Sequence, residues 1–107
     1  MNLLVVGCSH RTAPVAVREK LAIPDARIGP ALADLLARFG GEALLLSTCN
    51  RLEVYIAPET PIEPAAIGAA VADWHGLPLD AISPHLYERR DGDAVRHCFA
   101  LPRAWTA

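Results

Sequence analysis

No apolar run among the 107 residues approaches the ~20 that a membrane-spanning helix needs. Met1-Asn2 leads straight into Leu3-Leu4-Val5-Val6, with no basic leader or cleavage site. A cytoplasmic protein without a membrane partner is the expectation. Cysteine is scarce and odd in number, three at irregular spacing, so a disulfide framework is excluded and a reducing compartment would keep all three as thiols. A basic surplus is missing too: 10 Lys+Arg against 12 Asp+Glu leave a net charge of −2, so charge alone would hold a polyanion weakly. The seven glycines never fall as GxGxxG or GxxxxGK, which leaves no recognisable nucleotide-phosphate loop and no cofactor-binding residue to name. Cys8-Ser9-His10 and His97-Cys98 are close ligand pairs, but neither has CxxC form and no metal is expected. A phosphatase-type loop would need an arginine six residues after Cys49, where Tyr55 stands.

What is present, 52% apolar and 21% charged residues, suits one globular domain with a real core. Leu3-Leu4-Val5-Val6, ended by Gly7, reads as a central strand buried on both faces, and residues 8–12 as a polar loop. Thr12 is a candidate cap, and Pro14 opens a short helix on which Arg18, Glu19 and Lys20 form a solvated face. Asp25 can cap a second helix whose stripe is Ile28, Leu32, Leu35, Leu36 and Phe39, ended by Gly40-Gly41. Residues 42–57 read as two strands joined at Thr48-Cys49-Asn50. Leu52, Val54 and Ile56 then share one face and Glu53 and Tyr55 the other.

A proline-rich loop, an alanine-rich helix closed near Gly76 and a short strand around Leu86-Tyr87 follow. Asp91-Gly92-Asp93 makes a turn into a last helix that Pro102 interrupts. The order β, α, β, β, α, β with a trailing helix predicts an α+β, ferredoxin-like split βαβ fold: an antiparallel sheet with helices packed on one face.

Ser47-Thr48-Cys49-Asn50-Arg51 is the stretch that looks like a site. Cys49 has two readings, a buried structural thiol or a nucleophile, and the strand junction and the permanent cation at Arg51 favour the second without excluding the first. His10 lies in the loop after the first strand, where binding groups collect, though a solvated loop histidine would look the same. His97, among apolar neighbours, reads most simply as a core histidine, and His75 and His85 as surface residues.

Gly7-Cys8-Ser9-His10-Arg11-Thr12-Ala13-Pro14 followed by Val17-Arg18-Glu19, then Leu46-Ser47-Thr48-Cys49-Asn50-Arg51 with Glu53 and Tyr55, then Asp93-Ala94-Val95-Arg96-His97, form three blocks. In that order they resemble the amino-terminal catalytic domain of glutamyl-tRNA reductase. The resemblance implies that Cys49 attacks the ester of glutamyl-tRNA, that NADPH reduces the resulting thioester to glutamate-1-semialdehyde, and that the product enters tetrapyrrole synthesis. It makes Cys49 and His97 the catalytic residues. Thr48, Asn50, Arg51 and His10 become the substrate-binding ones, Arg51 through a bidentate fork on a carboxylate. Glutamyl-tRNA is the implied partner, with homodimerisation through a carboxy-terminal domain and contact with glutamate-1-semialdehyde aminomutase. The NADPH-binding and dimerisation domains of the family are not in these residues, so acylation and an esterase-like release are all that is expected of them alone. The competing expectation is a non-catalytic ferredoxin-like binding module.

The blocks place the domain at residues 1–99 and leave residues 100–107 as an atypical tail. Where the family resembles Arg-Val-Ala-Ala-Gly-Leu-Asp-Ser, this chain has Ala100-Leu101-Pro102-Arg103-Ala104-Trp105-Thr106-Ala107. Codons CTG-CCG-CGG-GCC-TGG-AC for residues 101–106 regroup one frame away into Ala-Ala-Gly-Leu-Asp. A frameshifted end is therefore the expectation, and the encoding DNA tests it.

Overall fold

The computed structural model describes the backbone of residues 2–106 and the side chains of residues 2–98. Ten elements follow in order: β1 (Leu4–Ser9), α1 (Val15–Leu21), α2 (Asp25–Phe39), β2 (Glu42–Ser47), β3 (Arg51–Ala57), α3 (Pro64–Trp74), α4 (Leu79–Ile82), a 3-10 turn (Ser83–His85), β4 (Tyr87–Arg90) and α5 (Asp91–Thr106). The four strands form one sheet in the order β2-β3-β1-β4, every neighbour antiparallel. β1 and β2 are thus parallel to each other with β3 between them, the split βαβ arrangement that the sequence predicts.

Alternation in the strands sorts the two faces. Leu4, Val6 and Cys8 of β1 stand beside Ile56, Val54 and Leu52 of β3, and Leu21, Leu35, Ile67, Val71 and Ile82 from the helices close over them. Each fully buried aliphatic side chain contributes about 1.5–3 kcal/mol through the area removed from water. The opposite face carries Val5, Tyr55 and Ala94 with Leu3, Leu46 and Cys98 at their edge, so the start of α5 packs on the side away from the other helices. Four helices share the expected face. The trailing one reaches across because β4 is an edge strand and the chain leaves it directly into α5.

Several local expectations change. Gly7 does not end β1, which runs on through Cys8 and Ser9, all six strand residues being buried. Thr12 does not cap α1; its hydroxyl oxygen accepts from the Ser9 N–H at 3.0 Å and closes the loop on itself, leaving Pro14 at the N-cap. Asp25 is the first residue of α2 instead of its cap, where its carboxylate still faces the positive end of the helix dipole. Gly40 and Gly41 end α2 with φ of 68° and 76°, a left-handed stretch that side chains resist. Asp91, φ 47°, exchanges hydrogen bonds with Leu3: its N–H donates to the Leu3 carbonyl at 2.8 Å and its Oδ1 accepts from the Leu3 N–H at 3.0 Å. Finally, α5 spans Asp91–Thr106 and so continues past Pro102, where the sequence expectation has it interrupted.

Candidate active site

The sheet register brings the first two sequence blocks to one end of the molecule, while the third enters on α5 from the Leu3 end of β1 and reaches Glu53 through His97. Ser9 pairs with Arg51, so the loop after β1, which carries His10, lies beside the three residues that join β2 to β3. Those three are Thr48, Cys49 and Asn50. The turn is built from within: the Thr48 N–H donates to the Arg51 carbonyl at 2.8 Å, and Thr48 Oγ1 accepts from the N–H groups of Asn50 (3.2 Å) and Arg51 (3.3 Å). The Thr48 hydroxyl proton and the Asn50 amide N–H groups remain for an incoming ligand. Cys49 at the apex is exposed, unlike Cys8, whose thiol burial pushes up from its ordinary value. The buried-thiol reading therefore describes Cys8 and not Cys49.

Arg18 is not on a solvated face. It is half-buried, and its guanidinium spans from the Ala13 carbonyl (Nε, 3.2 Å) to the Cys49 carbonyl (Nη1, 3.2 Å) and Asn50 Oδ1 (Nη1, 3.4 Å). Arg51, its side chain 11% exposed, lies with Nη1 3.7 Å from Glu53 Oε1. That separation is an ion pair without a hydrogen bond, so the N–H groups of Arg51 are not consumed by it.

Glu53 is the residue that sequence reasoning missed. It sits in the middle of β3, fully buried, on the face away from the main helical layer. Tyr55 donates its hydroxyl to Oε1 at 3.2 Å, and both the Tyr87 hydroxyl and His97 Nε2 meet Oε2. Glu53 and Tyr87 lie on strands separated by β1, and both are in register with Gly7. A side chain at Gly7 would stand between them: a Cβ there comes 2.3 Å from the Leu52 carbonyl oxygen and 2.9 Å from Glu53 Cγ. The gap left by glycine is what lets a tyrosine on one strand reach a carboxylate two strands away. The signal was available, since a carboxylate alternating into a central strand needs partners.

Burial first, and then the hydrogen bond to Glu53, push the Tyr87 phenol well above its ordinary value; Tyr55 is raised by burial and by the charge of Glu53. Both tyrosines stay protonated donors. Because the folded form holds its phenolic proton more tightly than the unfolded chain, stability from Tyr87 is intact below 10.0 and is lost as pH rises beyond it. Urea midpoints measured from about pH 8 to about pH 11 should therefore fall more steeply for the wild type than for Tyr87→Phe. Equal slopes would mean that the phenol is not held by the carboxylate. Cys8 shares the sign, which is why the comparison is made at Tyr87.

His97 belongs to this cluster through Glu53, its ring also tilted against Tyr87 with centroids 5.4 Å apart. Its Nε2 faces the carboxylate, and its Nδ1 has no partner among the described residues. His10 is exposed in its loop, and the sheet register, not a side-chain contact, brings it near the turn. No group of three or more His, Cys, Asp or Glu among the described residues could hold a metal ion.

An exposed thiol on a hairpin turn, followed on β3 by a buried carboxylate with histidine, tyrosine and arginine partners, defines a site-bearing α+β domain of the split βαβ class. The sequence model of the family described as Glutamyl-tRNAGlu reductase, N-terminal domain, matches residues 6–103. The chain belongs to that family. It is also similar to the solved structure of glutamyl-tRNA reductase from Methanopyrus kandleri, at 27% identity and a TM-score of 0.63 over 92% of this chain and 21% of that one. The chain thus spans about a fifth of that relative's length. The matched span takes in all three sequence blocks and continues to Arg103. The side chains of the tail expected to be frameshifted lie outside the described residues.

Proposed function

We propose that this domain forms the thioester of a glutamyl-tRNA reductase. Cys49 Sγ attacks the ester carbonyl of glutamyl-tRNA; a C–S bond forms, the C–O bond to the terminal ribose breaks, and the thiol proton ends on the ribose oxygen. The observation that carries the reading is the exposure of Cys49 on a turn whose neighbours keep free donors, in a chain of this family. Arg51 supplies a cation whose fork suits the glutamate side-chain carboxylate, and Thr48 and Asn50 supply the remaining donors. His10, in the adjacent loop, borders the space that substrate would fill. His97, held through Nε2 by Glu53, keeps a second ring nitrogen to relay a proton.

NADPH supplies hydride in the full-length reductases, and the residues described here do not fit it. β1 passes into a loop closed by Ser9 and Thr12, and the seven-residue α1 starts from Pro14. No strand-turn-helix cradle for a pyrophosphate results. Reduction, homodimerisation and transfer of product to the aminomutase are assigned to the rest of a longer cytoplasmic protein. In this reading residues 1–99 are the catalytic domain, and a frame change over residues 100–107 separates it from the domains that carry those steps in the family.

Mass spectrometry after mixing the chain with glutamyl-tRNA should find one glutamyl adduct, on Cys49, and none in Cys49→Ser. A label on another cysteine, or no label while an intact relative acquires one, would favour the non-catalytic binding module.

A further inference from the structure

We propose that Arg18 is the positioning residue of Cys49, an inference that rests on the reading of Cys49 as the acyl acceptor. α1 is only seven residues long and has no side-chain cap, yet it projects one guanidinium whose two ends do different work. Nε holds the Ala13 carbonyl, in the loop after β1, and Nη1 holds the Cys49 carbonyl and Asn50 Oδ1, on the opposite hairpin. The turn's own hydrogen bonds, all through Thr48, fix residues 48, 50 and 51 but leave the Cys49 carbonyl to Arg18. That carbonyl fixes the orientation of the peptide after Cys49, and with it the backbone from which the Cys49 side chain projects. No carboxylate pairs with Arg18 among the described residues, and its Nε–H and Nη1–H groups go to these three oxygens. A lysine offers its three donors from one nitrogen and does not reproduce the spread from Nε to Nη1 that reaches Ala13 and Cys49.

A nucleophile displaced by about 1 Å can lose on the order of a hundredfold in rate with binding unaffected. In single-turnover acylation of the chain by glutamyl-tRNA, Arg18→Gln should lower the maximal rate by about ten- to a hundredfold and leave the half-saturating concentration within about twofold. Arg18→Lys should not restore the rate, whereas free guanidinium added to Arg18→Ala should restore part of it. Full rate in Arg18→Gln, or rescue by lysine, would overturn the proposal. Amide hydrogen exchange tests the same geometry without substrate. The N–H groups of Asn50 and Arg51 should exchange about tenfold faster in Arg18→Gln while those of residues 52–57, the rest of β3, are unchanged. Unchanged protection there would also overturn it. Failure of the wild type itself to acylate would count against the assignment of Cys49, and the exchange result would still decide the role of Arg18.

Discussion

Glu53→Ala should cost about 3–5 kcal/mol of stability, the amount typical of removing one partner from a buried, charged cluster. The carboxylate is fully buried and is the common acceptor for Tyr55, Tyr87 and His97, with Arg51 3.7 Å away. In the unfolded chain all of these groups are hydrated. In the folded alanine variant two phenols and an imidazole face a void, and Arg51, 11% exposed, loses its counter-charge. Glu53→Gln keeps one carbonyl oxygen and adds two N–H donors where the wild type has only acceptors. Tyr87 and His97 can each turn an acceptor toward them, so the expected loss is smaller, about 1–3 kcal/mol. Urea unfolding measures both. An alanine variant within about 1 kcal/mol of wild type would show that the carboxylate is not the hub of the cluster.

Gly7→Ala should be nearly as damaging, on the order of 3 kcal/mol, the upper end of what overpacking usually costs. The added methyl meets the Leu52 carbonyl oxygen at 2.3 Å and Glu53 Cγ at 2.9 Å. β1 has β3 on one side and β4 on the other, so relief requires one pairing to open. The two substitutions are coupled. Truncating Glu53 removes the second clash but not the first, so the double variant should lose less than the sum while remaining below either parent. Strict additivity in the urea midpoints would mean that Gly7 does not make the room Glu53 occupies. A loss of Cys49 acylation in Gly7→Ala, measured where the variant is still folded, would connect this packing to the chemistry.

Much of the fold was legible because strand alternation and helix punctuation are local. Val54 and Ile56 alternating with Tyr55 fixed which residues share a face, and Gly40-Gly41 marked a helix end through their left-handed φ. Gly7 was misread by the same local logic. A glycine after four apolar residues usually ends a strand, and what keeps this one inside β1 is a carboxylate on β3 that needs the space. Arg18 was misread similarly: beside Glu19 and Lys20 it looks solvated, and its partners lie 31 and 32 residues away in sequence. His97 reads from its apolar neighbours as a core histidine, because its partner Glu53 is 44 residues distant.

The sequence by itself determined the order of the four strands and the longer helices, the two faces of the hairpin and the thiol-bearing turn, since each depends on residues within a few positions of one another, but not the short α4 and 3-10 turn or the full length of β1. Only the tertiary structure decided that Gly7 leaves a gap between β3 and β4, that Glu53 fills it with Tyr87 and His97, and that Arg18 spans from one loop to the other. Those are contacts between segments that the chain brings together after its local periodicities have been satisfied. Such contacts depend on register across the sheet, which no short stretch of sequence encodes.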